Sequence, residues 1–417
     1  MSTEKLKNKA ITFLRWTEKY TKTNMVYVAT GGFWLTLAKV ISTLSALATS
    51  IAFANLLSPE TYGIYRYVLS LLVVLTIPTL SGMDVAVTRS VAQGNEGAFM
   101  PAFWTKIKWG TLSGIASLVV ASYYYLQGDF NLVISFLIAS VFLPFMDPLL
   151  LYSAYLSGKK DFATSTKYQI ITNVIAGVAM VIVVLLSKNI FLIIFTYFAV
   201  YSLLRLIFLI LTTKKIEGYP QKDPSTISYG KHISLMNVLS IISTSLDKIL
   251  IFNYINATAL AGYYIALAPF KQVQGIISSV NTLAFPNFSK NDIQTLKKTL
   301  PQKIIKSYIP ILVIIIVYIA ISPYAFKLVY PKYTDYIILS DIFILQLLFN
   351  PTSFLYTALM ALGKQRHMYI YSTFYSVVRI LLLLILVPLF GMYGAAWTIL
   401  ITGVLSTSVL IYMFYRL

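Results

Sequence analysis

Residues 31–89 read GGFWLTLAKVISTLSALATSIAFANLLSPETYGIYRYVLSLLVVLTIPTLSGMDVAVTR, and this stretch decides the fold. Two apolar runs flank a turn at Ser58-Pro59-Glu60-Thr61-Tyr62-Gly63, each long enough to cross the roughly 30 Å hydrocarbon core of a bilayer as a helix. Both runs carry ionisable residues. Lys39 lies well inside the first, where a cation costs roughly 2.5 to 3.5 kcal/mol on insertion scales, so it is expected to face protein or water rather than lipid. Helical spacing puts Gly32, Thr36, Thr43 and Ser50 in one narrow sector with Lys39. In the second run Arg66, Ser70, Ser81, Asp84 and Thr88 form a stripe broken by Val73 and Ile77. Two adjacent helices with polar stripes imply a shared cavity.

The whole chain continues this pattern. With 58% apolar and 11% charged residues over 417 positions, it reads as an all-α polytopic membrane protein. Stretches of about twenty or more mainly apolar residues, from 28–50 to 392–414, suggest twelve transmembrane helices. The chain contains no cysteine, which excludes disulfides and thiolate metal sites. Its two histidines, His232 and His367, fall in separate expected loops, so no metal site is expected. A formal charge of +19 raises nucleic acid as a partner, but the distribution of the charge argues against it. Most lysines and arginines fall in alternate loops, with Arg66, Lys188, Lys327 and Lys332 assigned to the opposite side. That asymmetry follows the positive-inside rule and places both termini in the cytoplasm of a cell inner (plasma) membrane protein.

Residues 1–24 form a lysine-rich segment with Leu6, Ala10, Phe13, Leu14 and Tyr20 along one face, expected to lie on the cytoplasmic leaflet. Residues 25–211 form a first lobe of six spans. The polar stretch 212–232, TTKKIEGYPQKDPSTISYGKH, is the expected cytoplasmic linker, and 233–417 form a second six-span lobe. The seventh span gathers Asn237, Ser240, Ser243, Thr244 and Asp247, with Lys248 beside Asp247. The eighth carries Tyr264, Lys271, Gly275, Ser278 and Thr282 on one face. Asp341 lies in the tenth span and Arg379 in the eleventh, beside Ser372, Tyr375 and Ser376. Gly63 aligns with Gly262, and Gly158 with Gly363, in matching positions of the two lobes. Order and sidedness are kept, as in parallel repeats around a central cavity.

The residues at 32–34, LLSPETYGIY at 56–65, GMDVAVTR at 82–89, LDKILI at 246–251, AGYYIA at 261–266, LGKQR at 362–366 and GMYGAAW at 391–397 resemble the polysaccharide (O-antigen type) flippases of the multidrug/oligosaccharidyl-lipid/polysaccharide exporter superfamily. The resemblance covers nearly the whole chain. It implies two six-helix lobes around a cavity that opens alternately to the two membrane faces. It also implies transport of polyprenyl-diphosphate-linked oligosaccharide repeat units from the inner to the outer leaflet for cell-surface polysaccharide assembly, beside membrane lipids and other assembly proteins.

Cations and hydroxyls in a cavity can replace water around a diphosphate and sugars. Lys39, Lys271, Lys248 and Arg379 are the candidate substrate-binding residues, although Asp247 is placed to neutralise Lys248. Asp84 and Asp341 are the candidates for proton or sodium coupling, with Arg89 a nearby partner for Asp84. No cofactor is expected. A cation-coupled exporter of small molecules or drugs from the same superfamily is the alternative. A membrane enzyme is disfavoured, because the expected outer loops are short and no nucleophile and base occur together.

Overall fold

The computed structural model describes residues 25–216, 224–288 and 291–417, with backbone alone at 25–39, 224, 276 and 278–287. The expected amphipathic segment 1–24 and residues 217–223 of the expected linker lie outside the described residues. The chain is helical throughout the described part, and turn chemistry sets its breaks.

Helix α1 spans Met25–Leu56 and α2 spans Pro59–Leu75. Between them Ser58 caps α2: its side chain accepts the Thr61 N–H, Pro59 occupies the first turn where no N–H is needed, and Glu60 complements the helix dipole. The second apolar run does not continue straight. At Ile77–Thr79 it tightens into a 3-10 turn, since Pro78 removes an N–H, and Leu80 follows in the left-handed region at φ 62°. Helix α3, Met83–Ala92, then leaves at 45° to α2.

Helix α4 (Phe99–Gln127) and α5 (Phe130–Met146) form a hairpin around Asp129, whose side chain caps α5. Pro148 opens a 3-10 turn before α6, Tyr152–Gly158. Helices α7 (Phe162–Leu186) and α8 (Ile190–Thr213) complete the first part. Beyond the linker come α9 (Pro224–Tyr254), α10 (Ala257–Phe288) and α11 (Ile293–Val329). A second bent run, at 40°, joins α12 (Ile337–Ile344) to α13 (Ser353–Ala361) across Pro351. Helix α14 spans Gln365–Arg416 but is split at Gly391, whose φ of 60° and ψ of −135° suit only glycine, so it forms two arms, 365–390 and 392–416.

Among the described residues, six helices are long and apolar enough to cross a membrane, and up to eight if each bent pair is one span. That is fewer than the twelve spans expected. Part of the difference lies in α14, whose two arms, split at Gly391, count as one helix, and α4 carries Lys106 and Lys108 among its apolar residues.

Helix α1 packs on α7, α4 on α5, and α8 on both α5 and α7; later in the chain α9 packs on α14, and α10 on α12 and α13. Contacts across the midpoint join α2 to α9 and α10, and α3 to α9. At one of these crossings a Cβ on Gly63 would stand 1.8 Å from the Ala257 carbonyl oxygen, so only glycine lets α2 meet the start of α10. Tyr67 of α2 stacks on Phe252 of α9 with ring centroids 3.8 Å apart. In lipid, such packing and hydrogen bonding hold helices together, because acyl chains are as apolar as leucine.

Candidate functional site

A cavity of about 440 Å³ lies between α1, α2, α7 and α8, with Gln272 of α10 at its edge. Ser42, Thr43, Ser45 and Thr49 line it from α1, Asn173 and Gly177 from α7, and Tyr197 and Tyr201 from α8. The polar wall is built by hydrogen bonds: Asn173 donates through Nδ2 to Ser42 Oγ at 2.6 Å, and Ser45 Oγ donates to the Asn173 carbonyl at 2.9 Å. Helical spacing explains why these residues share a face, since positions 42, 45, 46 and 49 differ by three or four. Among the described residues no Asp or Glu lines the cavity.

Among the described residues its one lining cation is Arg66, from α2. Sequence assigned Arg66 to a segment outside the membrane; it is instead seven residues into α2, half-buried, at a depth of about 10 Å along the helix. Its guanidinium donates to Tyr62 Oη at 2.9 Å and stands 5.0, 5.6 and 4.7 Å from the ring centroids of Tyr62, Tyr65 and Tyr264. Its Nε is buried and has no hydrogen-bond partner, and the described ion pairs do not include it. Three aromatic faces partly offset the cost of burying the charge while leaving a donor unused. The sequence did hold a clue, because tyrosines at 62 and 65 precede Arg66 by four and one residues.

The four expected substrate-binding residues occupy different settings. Lys39 lies on α1, one turn before Thr43, and its side chain is outside the described residues. Lys271 is exposed on α10 next to Gln272; its Nζ stands 3.4 Å from Gln274 Oε1 and 5.5 Å from the Phe270 ring centroid. Lys248 and Arg379 both meet Asp247. Lys248 Nζ is 2.7 Å from Asp247 Oδ1, Arg379 Nη2 is 3.3 Å from Oδ2, and Tyr263 donates to the same Oδ2 at 2.7 Å. Asp247 is fully buried, and the group ties α9 to α10 and α14 with one positive charge in excess.

The coupling candidates separate similarly. Asp84 accepts from Lys106 Nζ at 2.7 Å, and the same ammonium stands 2.9 Å from Asp147 Oδ2. Thr79, from the break between α2 and α3, donates to Asp147 at 2.7 Å. Lys106, assigned by sequence to a cytoplasmic connection, is fully buried and binds the joints of two broken helices. Arg89 does not pair with Asp84; it lies over the Tyr229 ring, 5.0 Å from its centroid. Asp341 accepts from Ser322 Oγ at 2.8 Å, between α11 and α12. Among the described residues no group of three or more His, Asp or Glu could hold a metal ion.

Apolar helices around a polar, cation-bearing cavity make a membrane transporter fold, and comparison with solved structures agrees. The lipid II flippase MurJ in an inward closed conformation overlays with a TM-score of 0.70 at 17% identity, over 91% of this chain and 86% of that one. An inward-facing multidrug resistance MATE family transporter of the MOP superfamily gives 0.66 at 12% identity, over 90% and 94%. A MOP superfamily transporter from Pyrococcus furiosus, described as having a binding pocket of reverse polarity, gives 0.64 at 14%, over 93% and 95%. At these identities the likeness is one of fold. No curated protein matches the chain. Residues 28–292 match the family model described as Polysaccharide biosynthesis protein, and the chain belongs to that family.

Proposed function

We propose that this protein is an alternating-access flippase that carries polyprenyl-diphosphate-linked oligosaccharide repeat units from the inner to the outer leaflet, for assembly of a cell-surface polysaccharide. The observation that carries this reading is Arg66, held without a carboxylate in a cavity walled by hydroxyls, amides and tyrosines. A guanidinium with a spare donor suits a phosphate oxygen, the hydroxyls and amides suit sugar hydroxyls, and tyrosine faces suit sugar rings. Family membership and the likeness to a lipid II flippase support the same cargo class. In this reading 25–211 and 233–417 act as two six-span lobes, both termini are cytoplasmic, and the lipid tail stays in the bilayer while the headgroup crosses. Lys39 and Lys271 extend the cationic path. Lys248 and Arg379 contribute once the cargo phosphate competes with Asp247 for them, and Asp84 and Asp341 bind the coupling proton or sodium ion.

A second reading, export of small molecules driven by protons or sodium, is favoured by two observations. The fold is shared with multidrug transporters, and about 440 Å³ lies within the range of small-molecule sites. Arg66 opposes a cationic drug in that cavity. Reconstitution in vesicles separates the two: a flippase moves a labelled diphosphate-linked glycan to the opposite leaflet and leaves a cationic dye behind, whereas an exporter does the reverse.

A further inference from the structure

We propose that a groove between the two arms of α14, at the end carrying residues 366 and 416, binds an anionic glycerophospholipid. The groove measures about 610 Å³ and is lined by Arg366, His367, Ile370, Val409, Tyr412, Met413 and Arg416. Its chemistry is divided in two. Arg366 and Arg416 are exposed, and the apolar lining comes from Ile370, one turn from Arg366, and from Met413 and Val409, about one and two turns from Arg416. Arg416 donates to Tyr412 Oη at 2.6 Å and lies over that ring, which holds one guanidinium at the groove. Among the described residues no Asp or Glu lines it.

Two cations above an apolar trough match a phosphate above acyl chains. Basic pockets between helices on the cytoplasmic side are a recurrent setting for anionic headgroups. This end of the bundle is the one expected to face the cytoplasm, and Lys297 reaches the neighbouring Tyr415 carbonyl at 3.0 Å. The groove shares no lining residue with the Arg66 cavity, so it is a separate site. Beneath it Leu410 and Phe414 belong to a buried cluster with Leu296, Leu300, Leu355 and Leu359. A lipid seated there joins the arms of α14 over that cluster. The inference does not depend on the transported substrate.

The test is native mass spectrometry of the full chain with phosphatidylglycerol, with phosphatidylcholine of the same acyl chains, with inorganic phosphate and with undecaprenyl phosphate. Retention of phosphatidylglycerol at least tenfold above phosphatidylcholine is expected. Each of Arg366→Gln and Arg416→Gln should weaken it roughly fivefold, following about 1 kcal/mol per basic residue near an anionic surface. Arg366→Lys and Arg416→Lys should keep the preference, which separates lost charge from misfolding. Equal retention of the two phospholipids, or indifference to both glutamine variants, overturns the proposal. Full displacement by inorganic phosphate would make this an anion site without lipid selectivity, and preference for undecaprenyl phosphate would assign it to cargo; either result overturns it too.

Discussion

Asn55 and Lys332 bind each other's helix ends. Lys332 Nζ donates to the Asn55 carbonyl at 2.7 Å and to the Leu57 carbonyl at 3.0 Å, while Asn55 Nδ2 donates to the Val329 carbonyl at 2.9 Å. The C-termini of α1 and α11 thereby satisfy each other's orphan carbonyls, and a lysine there also complements the dipole of α1. These helices belong to opposite halves of the chain, and the contact ties them together. In the alternating-access cycle proposed above this contact would serve as a latch. Lys332→Ala should release it: a charge-assisted hydrogen bond is worth about 1.5 to 3 kcal/mol, enough to shift a two-state population more than tenfold. Spin labels on cysteines introduced at Glu60 and Asp335, in a chain with no native cysteine, should report a longer distance in the variant. An unchanged distance distribution would remove the latch.

The ion group at Lys106 predicts an order of stabilities. Removing the ammonium by Lys106→Met leaves Asp84 and Asp147 facing one another without their cation, and breaking a buried pair in this way costs about 3 to 5 kcal/mol. Asp84→Asn and Asp147→Asn each leave the lysine one carboxylate, and both side chains are partly exposed, so their cost should be smaller. Thermal unfolding in detergent should rank Lys106→Met lowest. A double Asp84→Asn, Asp147→Asn variant of Lys106→Met should recover part of the loss.

At Asp247 the asymmetry is reversed, since one buried carboxylate serves two cations. Asp247→Asn should be more damaging to the folded yield than Lys248→Ala, because it leaves both Lys248 and Arg379 without a counter-charge. Size-exclusion profiles of the two variants, compared at equal expression, check the order.

Much of the architecture was legible because its signals are local. The Ser58-Pro59-Glu60 start of α2 and the turn at Gly391 each act through the backbone of the residues that carry them, whereas the break at Pro78 went unread because the apolar run continues through it. The ion pairs were not legible in the same way. Lys106 lies near Trp104 and Lys108 in a stretch that reads as interfacial, and its carboxylate partners come from other helices, so only tertiary packing shows that it is buried. Arg66 was visible on a polar stripe, yet its nearness to the Ser58 turn suggested a surface position. The tyrosine from α10 that completes its cage is 198 residues away, from 66 to 264. Sequence placed polar faces on both α1 and α2, but of the α1 sector it named only Thr43 lines this cavity, and α7 and α8, which form its other wall, were not singled out.

The proposed cargo rests on Arg66, and the most direct measurement is transport of a labelled polyprenyl-diphosphate-linked glycan in vesicles containing Arg66→Ala or Arg66→Lys protein at matched amounts. The account predicts at least a tenfold loss of leaflet transfer in the alanine variant and partial recovery in the lysine variant, since lysine keeps the charge but loses the planar fork. Transfer by Arg66→Ala at the rate of the unsubstituted protein would contradict it.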